Sequence, residues 1–354
     1  MWPSTRLTDL LGIEHPIILA PMAATTTPAL VAAVSGAGGL GSHGCAVMSA
    51  EALASDMAEL RARTNAPVNL NFFCHTKHPM DAGHHDALMV ELGPDYAQAG
   101  AAAPSGPPEG APFTPFGEDQ LELLLAHPPA VVSFHFGLPP IEMMEALKQA
   151  GCLILSSATT VAEARWLEAR GVDAIIAQGW EAGGHRGVFL DVAQDAQVGL
   201  FALLPQVVDG VSVPVIAAGG IADGRGIAAA FALGADGVQV GTAFITSDEA
   251  ADRDIHRAAV ATGHDGSTLV TTAGSGRPAR GHRTDWLSRM EGVDTAPFPL
   301  MYHYSRPLQG ADSEQYQFSL YGQSAALAPT GSAAERLQSL VEDAQTALAA
   351  LRCT

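Results

Sequence analysis

The sequence predicts an α/β protein: a (β/α)8 TIM barrel followed by a smaller, mostly helical second domain near the C-terminus. Three observations predict it. Eight short, β-rich apolar runs recur along the first 245 residues. Alanine- and leucine-rich segments of helical length and pattern separate most of them. Glycines and amides collect where the runs end, at the rim where such a barrel keeps its chemistry.

Taken in order, the runs cover residues 16–22, 39–44, 67–73, 130–137, 152–159, 174–180, 214–220 and 237–245. A continuous apolar stretch such as Val213-Pro214-Val215-Ile216-Ala217-Ala218 suits a strand buried on both faces, and βα alternation requires parallel pairing through crossover helices. Eight such units are the number that closes a barrel. The rival is an open doubly wound sheet, suggested by Gly36-Ala37-Gly38-Gly39-Leu40-Gly41, a literal GxGxxG. That motif follows a helix-like segment and leads into a strand, whereas the dinucleotide fingerprint follows a strand and opens a helix. It reads as a helix stop and a tight turn.

Two segments break the rhythm. Residues 74–117 are long, polar and rich in Pro, Gly and Ala, and are expected to loop over one end of the barrel. After residue 246 the βα pattern stops, and 247–330 reads as helices and loops of a small substrate or lid domain. The last stretch, 331–354, carries apolar residues at helical spacing and is expected to pack back on the barrel of residues 1–246.

The composition, 47% hydrophobic and 16% charged, is that of a packed globular chain. Eighteen Lys and Arg stand against 37 Asp and Glu, a net charge of −19, and the lysines are Lys77 and Lys148 alone. This balance excludes a general nucleic-acid binder and argues against docking on anionic membrane. A bound phosphate therefore has to be held locally, by backbone N–H groups. Residues 1–10 lack an apolar run behind a basic start, and no stretch approaches the roughly 18 apolar residues of a membrane span. Cys45, Cys74, Cys152 and Cys353 form no CxxC pair, so a cytoplasmic protein with reduced thiols is expected. Composition leaves monomer and homodimer both open.

The ends of the runs carry the chemistry. The first ends in Ala20-Pro21-Met22, the third holds Asn69 and Asn71, and the fourth ends in His135-Phe136-Gly137. The sixth leads into Gln178-Gly179-Trp180-Glu181-Ala182-Gly183-Gly184-His185-Arg186-Gly187, the seventh ends in Gly219-Gly220, and the eighth holds Gln239-Val240-Gly241-Thr242. A backbone N–H approaches a phosphate closely only where no Cβ intervenes. Gly219-Gly220, ahead of a helix starting near Asp223, and Gly241-Thr242 thus read as two sides of a phosphate cradle; the plainer reading is a pair of tight turns. Asn71 and Gln178 can each donate and accept, which suits the edge of a flat heterocycle such as a flavin, with Pro21 and Met22 against its face. His185 in its glycine frame is a candidate base, against the alternative of a structural loop histidine, and Glu181 reads as a loop-anchoring carboxylate. Cys74, His75, His78, His84 and His85, with Asp81 and Asp86, are dense enough to suggest a metal. Their spacing matches no zinc pattern, and no metal site is expected.

Several of these segments together resemble a known family. They are Pro16-Ile17-Ile18-Leu19-Ala20-Pro21-Met22-Ala23, Gly38-Gly39-Leu40-Gly41, Asn69-Leu70-Asn71-Phe72-Phe73, Ser133-Phe134-His135-Phe136-Gly137-Leu138-Pro139, Ser275-Gly276-Arg277-Pro278-Ala279-Arg280, Gly322-Gln323 and, most specific, the run from Ala177 to Gly187. The chain resembles the class I nitronate monooxygenases, formerly called 2-nitropropane dioxygenases. The resemblance implies an FMN-containing barrel in which Asn71, Gln178, Gly183, Gly220 and the run Gln239, Val240, Gly241 and Thr242 bind FMN and His185 is the base. It implies oxidation by O2 of an alkyl nitronate, propionate 3-nitronate being one example, or of a nitroalkane that His185 first deprotonates, to a carbonyl compound and nitrite. Met301-Tyr302-His303-Tyr304-Ser305-Arg306 lies where the family has aromatic and basic pocket residues, so Tyr302, Tyr304 and Arg306, with His135, are the substrate-side candidates. Arg306 stands where a lysine would be expected. The rival readings are an NAD(P)H-dependent flavin reductase, of the quinone or enoyl-acyl-carrier-protein type, and a flavin-storing barrel without chemistry.

Overall fold

The computed structural model describes residues 2–191, 195–251 and 253–352. Each predicted run contains a strand: β1 (Ile17–Leu19), β2 (Gly41–Gly44), β3 (Val68–Phe73), β4 (Val131–His135), β5 (Leu153–Ala158) and β6 (Ala174–Gln178). A two-residue strand, β7 (Gly184–His185), then precedes β8 (Val215–Ala218) and β9 (Gly237–Val240). All but β7 pair in parallel in the order β1-β9-β8-β6-β5-β4-β3-β2. Leu40, bridging Ile18 in parallel just ahead of β2, brings the two ends together as a (β/α)8 barrel.

Strand side chains alternate between two cores, as the two-residue period of a strand requires. Ile17, Ile154, Ile175, Val215 and Ala217 point to the layer beneath the helices. Ile18, Leu155, Ile176 and Ile216 fill the barrel interior together with Leu7 and Leu11 of the first helix, Arg6–Leu11. That helix plugs the end where the strands begin and leaves the opposite rim for the site. The GxGxxG segment is the turn between helix Pro28–Gly36 and β2, as its context implies.

Three elements depart from the sequence reading. The eighth run stops being a strand at Val240, and Thr242–Ile245 forms a short helix behind Gly241. Residues 74–117 are not a plain loop, because Ala82–Ala99 is an 18-residue helix. Gly83, Gly93 and Pro94 hide it, since each lowers helix propensity. It forms because Asp81 caps it, accepting from the His84 N–H at 2.8 Å, and because Leu88, Leu92 and Tyr96 make one stripe buried against Trp286, Leu287, Tyr304 and Tyr316. Finally, residues 247–330 are not helices and loops alone. They hold strands β10 (Thr268–Thr271) and β11 (Ala279–His282), and β11 pairs antiparallel with β7.

The C-terminal helix Ala333–Arg352 lays Leu337, Leu340, Val341, Ala344 and Leu348 into the barrel's outer core. It approaches helix Gly224–Ala232 so closely that a Cβ on Gly224 would lie 2.2 Å from the Ala344 nitrogen. Cys45, Cys74 and Cys152 are free thiols, and Cys353 lies outside the described residues. Among the described residues no helix is long and apolar enough to cross a membrane.

Candidate active site

The rim beyond the strand ends encloses a cavity of about 360 Å³. Its walls bring together residues far apart in sequence: Pro21 and Met22 after β1, Asn71 of β3, His135 of β4, Gln178 of β6, Gly183 and His185, Gly219 and Gly220 after β8, and Gln239, Gly241 and Thr242 from β9 onward. Tyr302 and Arg306 line it from helix Tyr302–Ala311, with the Arg306 guanidinium 4.7 Å from the Tyr302 ring centre. Two candidates stay outside. Tyr304 is fully buried in the cluster of Leu88, Leu92 and Trp286 with its hydroxyl 2.8 Å from His85 Nδ1, and Val240 is a barrel core residue. In a chain with 37 acidic residues, none lines the cavity among the described residues.

His185 is held from every side. Its strand β7 lies against β11, and the next residue, Arg186, continues the pairing by donating its N–H to the Pro278 carbonyl at 2.8 Å. The glycine frame is therefore a strand fixed in a small sheet rather than a free loop. Nε2 of His185 lies 2.9 Å from Ser275 Oγ. Nδ1 makes no protein hydrogen bond among the described residues. Phe298, Phe73 and Phe136 surround the ring at centroid distances of 5.3, 6.0 and 6.0 Å. Burial, aided by His135, the Arg277 guanidinium and His75, pushes the His185 pKa down to about 3, so the imidazole is neutral at physiological pH.

Arg277 sits 4.0 Å over the Phe136 ring and donates to the Val188 carbonyl. Glu163, deeply buried, gathers the Thr159, Phe189 and Leu190 N–H groups and so anchors the chain just beyond Val188. Glu181 accepts the Leu200 N–H at 2.8 and 3.0 Å and so anchors its loop, as expected of it.

The glycine turns have the geometry of an anion cradle. Gly219 and Gly220 adopt φ of 112° and 70°, which side-chain-bearing residues rarely take, and their N–H groups meet no protein acceptor among the described residues. Thr242 Oγ1 accepts the Gly322 N–H at 2.9 Å, and Gly322 passes so close to Gly183 that a Cβ there would lie 2.4 Å from its nitrogen. The strand ends and the C-terminal segment are thereby locked into one wall. Gln239 Oε1, on that wall, is buried without a partner.

Sequence reading missed the aromatic cage, Ser275, and a second stripe of lining residues: Arg253, His256 and Gln309. Ser275 and Arg277 fall in a motif that was visible, but nothing in one sequence placed it against His185. Burial holds the Tyr302 hydroxyl up at about 12, with Arg306 and Arg253 opposing the shift. Of the suspected metal residues, Asp81 caps a helix, His85 meets Tyr304, His75 packs on Phe113 and Phe298, and His78 and Asp86 are exposed. Among the described residues no three His, Cys, Asp or Glu side chains converge as a metal site.

Comparison with known proteins completes the description. Residues 4–343 match the nitronate monooxygenase family. The nitronate monooxygenase of Paraburkholderia phytofirmans is 42% identical, over 98% of this chain and 96% of its own. That of Pseudomonas aeruginosa is 43% identical, over 96% and 98%. Among solved structures, nitroalkane oxidase from Streptomyces ansochromogenes superposes with a TM-score of 0.88 at 36% identity, covering 98% of this chain and 99% of that one. FabK from Thermotoga maritima superposes with a TM-score of 0.75 at 31% identity, over 99% of each.

Proposed function

Because the chain belongs to the nitronate monooxygenase family, whose members are oxidoreductases, we propose that it is an FMN enzyme oxidising alkyl nitronates with O2 to a carbonyl compound and nitrite. Nitroalkanes enter the same reaction once His185 has removed a proton. The observation that carries this reading is the setting of His185: a neutral imidazole, caged by phenylalanines, on a cavity wall that bears no carboxylate among the described residues.

The residues present fit FMN. The N–H groups of Gly219 and Gly220, without an acceptor among the described residues, and the Gly241-Thr242 turn would hold its phosphate, and a wall with no acid among the described residues would not repel it. Asn71 and the unpartnered Gln239 Oε1 would meet polar atoms of the flavin, with Pro21 and Met22 against the ring. When bound, FMN supplies the electron acceptor for the nitronate and the group at which O2 reacts.

The protein handles the proton. We assign the Ser275 hydroxyl proton to the Arg277 carbonyl, 3.3 Å away, so that Ser275 Oγ accepts from His185 Nε2–H and Nδ1 carries the basic lone pair. Nδ1 takes the proton from the carbon next to the nitro group, and the imidazolium so formed holds the nitronate by charge. A nitronate supplied as the anion reaches the same state when His185 takes up one proton from solvent. Arg306, Arg253 and Tyr302 extend the wall toward the substrate. Cys45, Cys74 and Cys152, free thiols among the described residues, suit a reducing compartment, and we place the enzyme in the cytoplasm.

The test is nitrite release from ethylnitronate and from nitroethane in air, with NADH oxidation measured beside it. Nitrite from both, cut about 10²- to 10⁴-fold for nitroethane by His185→Asn, supports the reading. The alternative raised by the sequence is an NAD(P)H-dependent flavin reductase, and NADH oxidation without nitrite would establish it instead.

A further inference from the structure

Gln178 and His135 line the cavity, yet most of their polar atoms serve the protein backbone. Gln178 Nε2 donates to the His185 carbonyl at 2.9 Å, and Gln178 Oε1 accepts the Gly187 N–H at 2.7 Å. A residue in a neighbouring parallel strand makes this same pair of bonds, giving its N–H to one residue and taking the N–H two residues further on. The side-chain amide thus replaces a strand. Residues 185–187 run between β11 on one edge and the Gln178 amide on the other, although Gly183 and Gly184 precede them and Gly184 has a φ of 78°.

His135 completes the grip. Its Nε2–H donates to the same His185 carbonyl at 3.0 Å, and its Nδ1 faces Ser157 Oγ, so both ring nitrogens are engaged. The His185 carbonyl has two acceptor lone pairs, and both are taken. Arg186, fully buried and paired with Asp195 at 3.0 Å, donates to the Gly179 carbonyl at 2.7 Å and fixes the base of the Gln178 segment.

We propose that Gln178 and His135 are positioning residues for His185: they clamp its backbone carbonyl so that the imidazole points from a fixed point on the cavity wall. This inference rests on His185 being the base. It differs from the sequence expectation, in which Gln178 reads a flavin edge and His135 contacts substrate.

The test compares Gln178→Met and His135→Phe, which keep shape but remove the donors, with His135→Gln, which restores an N–H donor near the Nε2 position. FMN affinity is read by quenching of flavin fluorescence, and kcat, KM and the isotope effect with deuterated nitroethane are read on loaded enzyme. The clamp predicts a kcat loss of about 10- to 100-fold for nitroethane in Gln178→Met and His135→Phe. It predicts a larger isotope effect, FMN affinity and KM within about threefold, and partial rescue by His135→Gln. In a His185→Asn background Gln178→Met should cost under about twofold more, because its effect passes through His185. A weaker FMN affinity with kcat unchanged, or an equal loss in the His185→Asn background, would overturn the clamp. Full nitroethane activity in His185→Asn alone would instead overturn the assignment of the base.

Discussion

The residue on which the proposed chemistry turns is His185, and its sequence neighbours say little about why. An imidazole ordinarily titrates near 6.5, but burial first, then His135, Arg277 and His75, bring this one to about 3. The base form should therefore persist well into acid. With nitroethane as substrate, log(kcat/KM) is expected to show no acid limb near pH 6.5, and a limb centred there would show that His185 is not so depressed. His185→Asn should cost about 10²- to 10⁴-fold on nitroethane, the usual worth of a positioned base, and much less on the preformed nitronate. Ser275→Ala removes the oxygen that fixes the tautomer, so an intermediate loss on nitroethane is expected. Loss of equal size on both substrates would mean that Ser275 serves structure alone. The glycine frame made His185 visible in the sequence. Ser275 and Arg277 were not legible as partners because the pairing of β7 with β11 brings them in from a distant segment, and the cage was not because Phe73, Phe136 and Phe298 come from three separate segments.

At the scale of elements, most barrel strands were legible because strands buried on both faces leave an apolar signature, whereas β2, Gly41-Ser42-His43-Gly44, carries none and was placed by its position in the βα alternation. Helix Ala82–Ala99 was not legible, since Gly83, Gly93 and Pro94 argue locally against it and only tertiary burial of Leu88, Leu92 and Tyr96 pays for it. This helix should be held by packing and capping more than by propensity. Leu92→Ala is expected to destabilise the protein by about 2–5 kcal/mol, as for other fully buried leucines. Asp81→Ala should cost about 1 kcal/mol through the lost cap. Urea denaturation read by circular dichroism measures both, and a Leu92→Ala midpoint equal to the parent's would show that the helix is not docked as described. The two-residue strand β7 has no hydrophobic period at all, which is why the sequence reads it as a loop. Its register comes from β11 and from the Gln178 side chain.

At the scale of the whole molecule, the barrel and its rim followed from counting βα units, and the glycines proposed to cradle a phosphate line the cavity at that rim. Charge shows a division that composition alone hid: the chain carries −19 overall, yet the cavity wall has arginines and histidines and no acid among the described residues. An anionic cofactor and an anionic substrate suit such a wall. The buried histidines also set the response to acid. His75, His135 and His256 are pushed down to about 4 and His185 to about 3, each chiefly by burial, from an ordinary 6.5. The unfolded chain therefore binds protons that the folded chain refuses. Stability is full above about pH 6.5 and falls as the pH drops from there toward about 4. Urea midpoints taken at about pH 7 and about pH 5 should decline, and the decline should be shallower in His135→Gln. A flat profile would contradict the burial of these neutral rings.

The most direct test of the account is the absorbance spectrum of the purified protein, followed by anaerobic mixing with ethylnitronate in one experiment and with NADH in another. The protein is expected to be yellow, its flavin bleaching with ethylnitronate and untouched by NADH, with nitrite released from the substrate when air is admitted. Bleaching by NADH alone, or a colourless protein that takes up no FMN, would contradict it.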